Sequence, residues 1–356
     1  MNPIQTPFGN SITASKPIGF WNTWVRIACV LACAHATSAA AQVQSMEALV
    51  AAAKAEGKLT LYTSSVDVET QELAKKFEEA YPGIKVEWLR LTSTALFSRY
   101  AGEVEANVHN VDVLYSASSQ LYQLKPQLFQ KLTPALVPSL SGLQVKAKND
   151  SYAVAEILPH VITYNSALVS KADMEKLKSW KDLADPRWKG KVALTDPKTT
   201  TNVVSWLMLM RDTYGEEWIK TFAGQYKIVN SAVPGVQQAA AGAFQIVVPT
   251  VVNHSADVRA QGAPLAVLRP EGPSHGLEVA IALALKPPHP NAARLYVNWK
   301  LGQAGVALVC KGGAVPTAAV PAGMPCAKLA PNHVGSNDLV TPEQTRKILD
   351  QLGVKS

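Results

Sequence analysis

Hydroxyl side chains recur at points of the sequence where a predicted strand runs into a predicted helix. Hydroxyl groups and the free N–H groups of a helix N-terminus hydrogen-bond oxyanions, and the helix dipole adds roughly 0.3 to 1 kcal/mol for a negative charge. These turns could therefore bind a carboxylate or phosphonate group, although each alone is equally explained as a helix cap worth about 1 kcal/mol. The candidate residues are Ser64, Ser65, Ser93, Thr94, Ser116, Ser118, Thr199, Thr200 and Thr201.

The first of these turns belongs to a predicted β-α-β unit at residues 58–90. Leu73 and Phe77 fall on one face of its helix, and Pro82-Gly83 ends that helix. In an open α/β sheet, ligands bind beyond the carboxyl ends of the strands, where the hydroxyl groups of this chain stand. Further strand-turn-helix units follow, so the sequence predicts an α/β fold.

Two extended, apolar stretches at residues 152–164 and 265–285 divide the chain. About 315 residues remain after the N-terminal segment, more than one hydrophobic core usually serves. We therefore expect two lobes, each a sheet flanked by helices and joined by two hinge crossings. The predicted lobes are residues 42–157 with 275–356, and residues 158–274. If the sheets face each other, the hydroxyl turns converge on one cleft.

The first 41 residues are typical of an export signal. Lys16 and Arg26 precede an apolar stretch at 27–34 and a run of small residues. Because the apolar stretch is short, it does not provide the roughly 20 residues of a membrane span. The sequence predicts a periplasmic protein, and a lipid anchor at Cys33 is the weaker interpretation.

Cys310 and Cys326 are the cysteines that remain after the export segment. An oxidising compartment favours a disulfide between them, worth up to about 3 kcal/mol in the chain-entropy model. The alternative is two buried thiols. The 34 Lys and Arg residues are scattered among 27 Asp and Glu residues. A nucleic-acid-binding domain would usually gather its basic residues into a stripe, so no nucleic-acid partner is predicted.

Three stretches of the sequence carry a family resemblance: KLTLYTSS with ETQELAKKFEEAYPGIKVEW at 58–88, DLADPRWKGKVALTDPKTTTN at 182–202, and PHPNAARLYVNW at 288–299. They resemble the type 2 periplasmic solute-binding proteins of ABC importers, in the branch of ferric-ion, polyamine, thiamine and phosphonate receptors. The resemblance implies a monomeric, non-enzymatic receptor without a cofactor. Such a receptor closes two lobes over a solute and delivers it to an inner-membrane permease.

The resemblance also extends the ligand loops to the turn at 250–254, which adds Asn253 and His254 as candidates. Ferric-ion receptors of this branch carry a Tyr-Tyr pair here, whereas this chain has TVVNH. Tyrosinate is the hard, anionic oxygen donor of such an iron site, and valine cannot replace it. The sequence therefore predicts no metal ligands.

The predicted solute is a small, anionic organic molecule, a carboxylate or a phosphonate. Arg90 could supply its countercharge, or could be an exposed residue at a strand end. A ferric ion or iron chelate is the first alternative. A polyamine or other cationic amine is another, because Asp67, Asp196 and Asp257 lie near the same turns. A secreted enzyme on the same scaffold is the weakest, since the sequence contains no nucleophile elbow or phosphate-binding loop.

Glu156 and His160 lie on the first predicted crossing. They could line the floor of the cleft, or they could satisfy backbone groups of the hinge.

Overall fold

The structure is a computed structural model and describes residues 45–335 and 340–354. The predicted export segment, residues 1–41, lies outside the described residues, and so does Cys33. Across the described ranges, no helix has both the length and the apolar character that crossing a membrane requires.

The strands of the described residues alternate with helices along most of the chain. The strands are β1 (Lys58–Thr63), β2 (Lys85–Arg90), β3 (Val113–Ser116), β4 (Ala153–Pro159), β5 (Val161–Asn165), β6 (Val192–Thr195), β7 (Tyr226–Val229), β8 (Ile246–Thr250), β9 (Leu265–Leu268), β10 (Ser274–Leu283), β11 (Val315–Pro316) and β12 (His333–Val334). The helices are α1 (Met46–Glu56), α2 (Asp67–Ala80), α3 (Ser93–Glu105), α4 (Ser119–Leu124), α5 (Lys171–Met174), α6 (Thr201–Tyr214), α7 (Glu216–Ala223), α8 (Ala232–Ala240), α9 (Ala256–Ala260), α10 (Pro290–Leu301), α11 (Gln303–Lys311) and α12 (Pro342–Gln351).

The strands form two sheets. The first has the order β11-β4-β10-β3-β1-β2, with β12 paired to β10, and the second has the order β7-β6-β8-β5-β9. In the first sheet β1 runs parallel to β2 and β3, whereas β10 runs antiparallel to β3 and β4. We call the first sheet with its helices lobe 1 and the second sheet with its helices lobe 2. The predicted two-lobed α/β class is confirmed.

The core of lobe 1 follows from the periodicity of its elements. Leu59 and Leu61 of β1 are fully buried, and so is Phe77 on the predicted apolar face of α2. The Phe77 ring meets the rings of Tyr296 and Trp299 in α10 at centroid distances of 5.0 and 5.4 Å. Helices α2 and α10 therefore pack against each other within the core of lobe 1.

The chain passes between the lobes at the two predicted crossings. His160 separates β4 of lobe 1 from β5 of lobe 2, and residues 269–273 separate β9 from β10. The crossings touch each other, since the backbone N–H of His160 donates to the carbonyl of His275 at 2.7 Å. The two Nδ1 atoms of these histidines are 3.2 Å apart. The hinge is therefore two strands joined by main-chain and side-chain contacts.

The last helix differs from the predicted lobe boundary, which placed residues 275–356 in lobe 1. Ile348 and Leu352 pack into the core of lobe 2, and the hydroxyl of Tyr226 donates to the carbonyl of Leu352 at 3.1 Å. The start of this helix is as expected: Thr341 caps it, and Gln344 returns a hydrogen bond to the Thr341 backbone.

The predicted disulfide is confirmed. Cys310 in α11 bonds to Cys326, which lies 16 residues further along the chain. The bond ties the end of α11 to the loop that follows β11.

Candidate functional site

The Ser64 turn joins two loops of lobe 1. The backbone N–H of Ser64 donates to the carbonyl of Tyr115 at 3.1 Å, and its hydroxyl oxygen accepts from the N–H of Ala117 at 2.9 Å. Ser64 therefore holds the end of β1 against the end of β3. Its hydroxyl does not cap a helix, so that alternative interpretation is wrong.

Ser65 likewise makes no cap. Helix α2 begins at Asp67 after Val66, whose apolar side chain offers no capping oxygen. The N–H of Ser65 donates to the hydroxyl of Thr63 at 3.0 Å. Its carbonyl accepts from Nε of Arg90 at 2.9 Å, which places this guanidinium beside the turn.

The other turns of lobe 1 differ in exposure. Ser93 opens α3 and is half-buried, and Thr94 is exposed. Ser116 ends β3 and is fully buried. Ser118 precedes α4 and is 7% exposed.

The threonine turn of lobe 2 behaves as a helix start. Thr200 caps α6 by accepting from the N–H of Asn202 at 3.4 Å, and Thr201 is the exposed first residue of that helix. The hydroxyl of Thr199 donates to the carbonyls of Asp196 and Asn230. Capping accounts for Thr200, and the Thr199 hydroxyl is engaged within its own lobe.

Turns from the two lobes meet at Asn202. Its side-chain amide donates to the carbonyl of Ala117 at 3.1 Å, across the gap between the lobes. Since Ala117 is also bound by Ser64, the structure brings together the turn after β1, the turn after β3 and the turn before α6. Asn202 was not among the predicted ligand residues, although it adjoins the predicted threonines.

The turn after β8 also reaches lobe 1. The side-chain amide of Asn253 donates to Oε2 of Glu69 in α2 at 3.3 Å. His254 accepts from the N–H of Val251 at 3.2 Å through Nδ1. Burial, and then the positive charge of Arg90 in lobe 1, lower the pKa of His254 to about 4. His254 is therefore neutral near pH 7.

Next to these turns lies a cavity of about 420 Å³ whose walls come from both lobes. Lobe 1 contributes α2, β4, α10 and α11, and lobe 2 contributes the turn after β8 together with α9. Of the predicted ligand residues, Asn253 alone lines it. The polar side chains in its walls are Glu69, Glu72, Glu156, Asn253, Asp257, Lys300 and Lys311.

The inner wall of the cavity holds a buried ion pair. Nζ of Lys300 lies 3.0 Å from Oε2 of Glu156, and the two side chains are 1% and 3% exposed. The ammonium group also lies over the ring of Tyr115, 5.2 Å from its centroid. Charges so far from solvent are tolerated only when they are paired. Because Glu156 lines the cavity, the structure favours the first of its two predicted roles.

Glu69 is the second carboxyl group of this wall, and its side chain is half-buried. Burial, followed by the charge of Glu156, raises the pKa of Glu69 to about 8, although Lys300 and Asn253 act in the opposite direction. Glu69 therefore holds a proton near pH 7, while Glu156 and Lys300 form the ion pair.

Two tyrosine hydroxyls lie behind these carboxyl groups. Tyr115 and Tyr296 are fully buried; the Tyr296 hydroxyl has no hydrogen-bond partner within the described part of the chain, whereas a hydrogen bond with Glu156 contributes to the raised pKa of Tyr115. The charges of Glu69 and Glu156 add to burial in raising the pKa of both tyrosines, which places both hydroxyls near the carboxyl groups.

Of the charged residues on the inner wall, only Glu156 was predicted from the sequence. The positions of Glu69 and Lys300 in the sequence nevertheless indicate that they face the core. Glu69 lies four residues before Leu73 and eight before Phe77, so it continues the apolar face of α2. Lys300 lies four residues after Tyr296 in α10 and continues its buried face in the same way. A charged residue on the otherwise apolar face of a helix is therefore the sequence pattern that indicates a buried polar site.

Metal ligands are not gathered anywhere in residues 45–335 and 340–354. No three His, Cys, Asp or Glu side chains in these ranges are placed so that they could hold a metal ion.

Two lobes joined by a strand hinge, with a cavity between them that holds several charged side chains, form the arrangement of a two-lobed solute receptor. The chain belongs to the family of bacterial extracellular solute-binding proteins, whose model matches residues 108–341. It is also similar to an uncharacterized protein of Haemophilus influenzae, with 24% identity over 282 residues, which covers 75% of this chain and 79% of the relative.

Solved structures share the fold. The substrate binding protein of an ABC transporter from Agrobacterium tumefaciens matches with a TM-score of 0.70 and 14% identity, over 84% of this chain and 95% of that one. AfuA from Actinobacillus pleuropneumoniae, with fructose-6-phosphate bound, matches with a TM-score of 0.65 and 19% identity, over 84% of this chain and 99% of that one. Iron-bound HitA from Pseudomonas aeruginosa matches with a TM-score of 0.62 and 18% identity, over 83% of this chain and 98% of that one.

Proposed function

We propose that this protein captures a small organic solute between its lobes in the periplasm and delivers it to an inner-membrane permease. The observation that supports this function is the cavity of about 420 Å³ with walls from both lobes. Its volume falls in the range of small-molecule sites. A solute that contacts both lobes stabilises the closed arrangement by its differential affinity for that state.

We further propose that the solute carries an anionic group, a carboxylate or phosphonate. Arg90 is held beside the Ser65 carbonyl, and its positive charge helps to lower the pKa of His254 in lobe 2. Guanidinium groups bind such anions through paired, charge-assisted hydrogen bonds. The fructose-6-phosphate bound by AfuA is a small organic anion of the same kind.

A ligand screen tests the proposal. Carboxylates, phosphonates, sugar phosphates, amines and ferric citrate are each added to the purified protein, and its thermal unfolding is followed. A solute at one hundred times its dissociation constant adds about 2.7 kcal/mol of stability. We expect such a shift with compounds that carry an anionic group. A shift with purely cationic compounds alone, or with the ferric salt alone, would contradict the anionic solute.

A pair of variants then locates the anion. Arg90→Gln should lower the affinity for the solute that the screen identifies by tenfold or more, because it removes the proposed countercharge. Arg99→Gln is the matched control: Arg99 also lies in lobe 1, but it pairs with Glu103 on the surface of α3. Isothermal titration calorimetry of both variants measures the difference. Equal affinities would show that Arg90 is only an exposed strand-end residue.

A further inference from the structure

The cavity contains a recognition element of its own, apart from the hydroxyl turns. We propose that Glu69 and Glu156 together bind a protonated amine, so that the solute carries an ammonium group in addition to its acid group. The inference rests on the proposed function and narrows the class of its solute to amino-bearing acids.

The position of the two carboxyl groups suits a ligand held between the lobes. Glu69 comes from α2 and Glu156 from β4, and both line the cavity. Asn253 of lobe 2 already donates to Glu69. An ammonium group at this point would therefore add hydrogen bonds where the lobes are in contact.

The charges that line the cavity favour a cation. Four acidic side chains and two lysines stand in its walls, and each lysine is already paired: Lys300 with Glu156 and Lys311 with Glu72. Glu69 and Asp257 have no lysine of their own in the cavity. Ionisation of Glu69 would balance the charge of an added cation, whereas an anion would find both lysines engaged.

A buried hydroxyl supplies a second observation. The side chain of Tyr296 is fully buried, its oxygen lacks a partner within the described residues, and the charges of Glu69 and Glu156 help to raise its pKa. An ammonium group has three N–H donors and no acceptor, and it needs three oxygens around it. The oxygens of the two carboxylates that line the cavity, Glu69 and Glu156, provide them. The ring of Tyr115 already faces the ammonium of Lys300, so this surface accommodates a cation.

Binding of an amine at this place should release a proton. Glu69 holds a proton near pH 7, since burial and Glu156 raise its pKa to about 8. The arrival of R–NH₃⁺ favours the ionised carboxylate, so the Glu69 proton passes to solvent and the net charge of the buried cluster stays unchanged. The other groups that face Glu69 are Glu156 of β4, Lys300 and Tyr296 of α10, Tyr115 of β3 and Asn253 of lobe 2.

Matched ligands test the inference by titration calorimetry of the full chain. Pentanoate and 5-aminopentanoate differ only in the amino group, and the same comparison is made for acids of three to six carbons. We expect the amino acid to bind at least tenfold more tightly than the plain acid of equal length. Titrations near pH 7 in two buffers that carry neither phosphate nor a primary amine and differ in ionisation enthalpy, PIPES and HEPES, should show the release of close to one proton per solute bound.

Two variants of α2 assign the effect to its residue. Glu69→Gln should abolish both the advantage of the amino acid and the proton release. Glu79→Gln, on the exposed face of the same helix, should leave both unchanged. The proton release of the unmodified protein needs no variant, so it decides the matter even if Glu69→Gln fails to fold.

The outcomes separate the two proposals. If none of the compounds in the ligand screen binds, the proposed function fails. If plain acids bind and the matching amino acids bind no more tightly, the amine inference is overturned while the receptor function stands. The same holds if binding of the amino acids releases no proton.

Discussion

Replacement of Lys300 by methionine should destabilise the protein by about 3–5 kcal/mol, because it leaves a buried charge without its partner. The ammonium of Lys300 lies 3.0 Å from Glu156, and both side chains are at most 3% exposed. Methionine fills most of the lysine volume, so the loss measures the unpaired carboxylate of Glu156 rather than a cavity.

The protein offers a matched surface pair as control. Lys58 and Glu87 on neighbouring strands are 2.8 Å apart, with side chains 40% and 60% exposed. Lys58→Met removes the same group at a similar distance, but water and salt compensate the remaining carboxylate. An exposed pair of this kind is worth about 0–1 kcal/mol. The difference between the two variants therefore isolates the cost of burial.

Urea unfolding, followed by tryptophan fluorescence and by far-ultraviolet circular dichroism, measures both variants. The double variant Lys300→Met with Glu156→Gln should recover more than half of the loss, since it removes the charge that was left unpaired. If Lys300→Met cost no more than Lys58→Met, or if the second substitution recovered nothing, the assignment of a strongly coupled buried pair would be refuted.

Three further predictions concern the backbone, the hinge and the disulfide. Gly276→Ala should lower the free energy of unfolding by about 2 kcal/mol or more, because its new Cβ would lie 2.5 Å from a main-chain oxygen of β4. The control Gly102→Ala, in open space on α3, should raise it by roughly 0.5–1 kcal/mol. The melting temperatures of the two variants test both expectations. Burial lowers the pKa of His275 to about 3, whereas the same group titrates near 6.5 in the unfolded chain. As the pH falls below 6.5 the unfolded chain takes up a proton that the folded protein does not, so the free energy of unfolding should fall by about 2 kcal/mol at pH 5. In His275→Asn, urea unfolding between pH 6.5 and pH 5 should show a smaller dependence on pH. Reduction of the Cys310–Cys326 bond should cost up to about 3 kcal/mol, and an unchanged urea midpoint in reductant would contradict this.

Features set by neighbouring residues were predictable from the sequence. The cap of α12 by Thr341 and Gln344 depends on four consecutive residues, and the structure shows both of its hydrogen bonds. The alternation of strands with amphipathic helices predicted the α/β class in the same way. The disulfide needed only a count of cysteines and the compartment.

The inner wall of the cavity was not predictable to the same degree. Lys300 and Glu156 are 144 residues apart in sequence, and a helix and a strand from different parts of lobe 1 bring them together. Short-range periodicity indicates that a position is buried, but it does not indicate which distant charge it meets.

The hydroxyl turns show the opposite difficulty. Their residue types indicated helix caps or ligand contacts, whereas Ser64 binds another loop and Thr199 binds carbonyls of its own lobe. A hydroxyl group can serve any nearby donor or acceptor, so its type alone does not decide its partner.

The disulfide also has a consequence for how this receptor is handled. Helix α11 carries Cys310 near its end, and Leu308, Val309 and Lys311 of the same turn line the cavity. One wall of the cavity is thus anchored by a covalent bond that forms only under oxidising conditions. Protein produced in a reducing cytoplasm, or assayed in dithiothreitol, would lack this anchor. Affinities measured in that form describe a different receptor from the exported one.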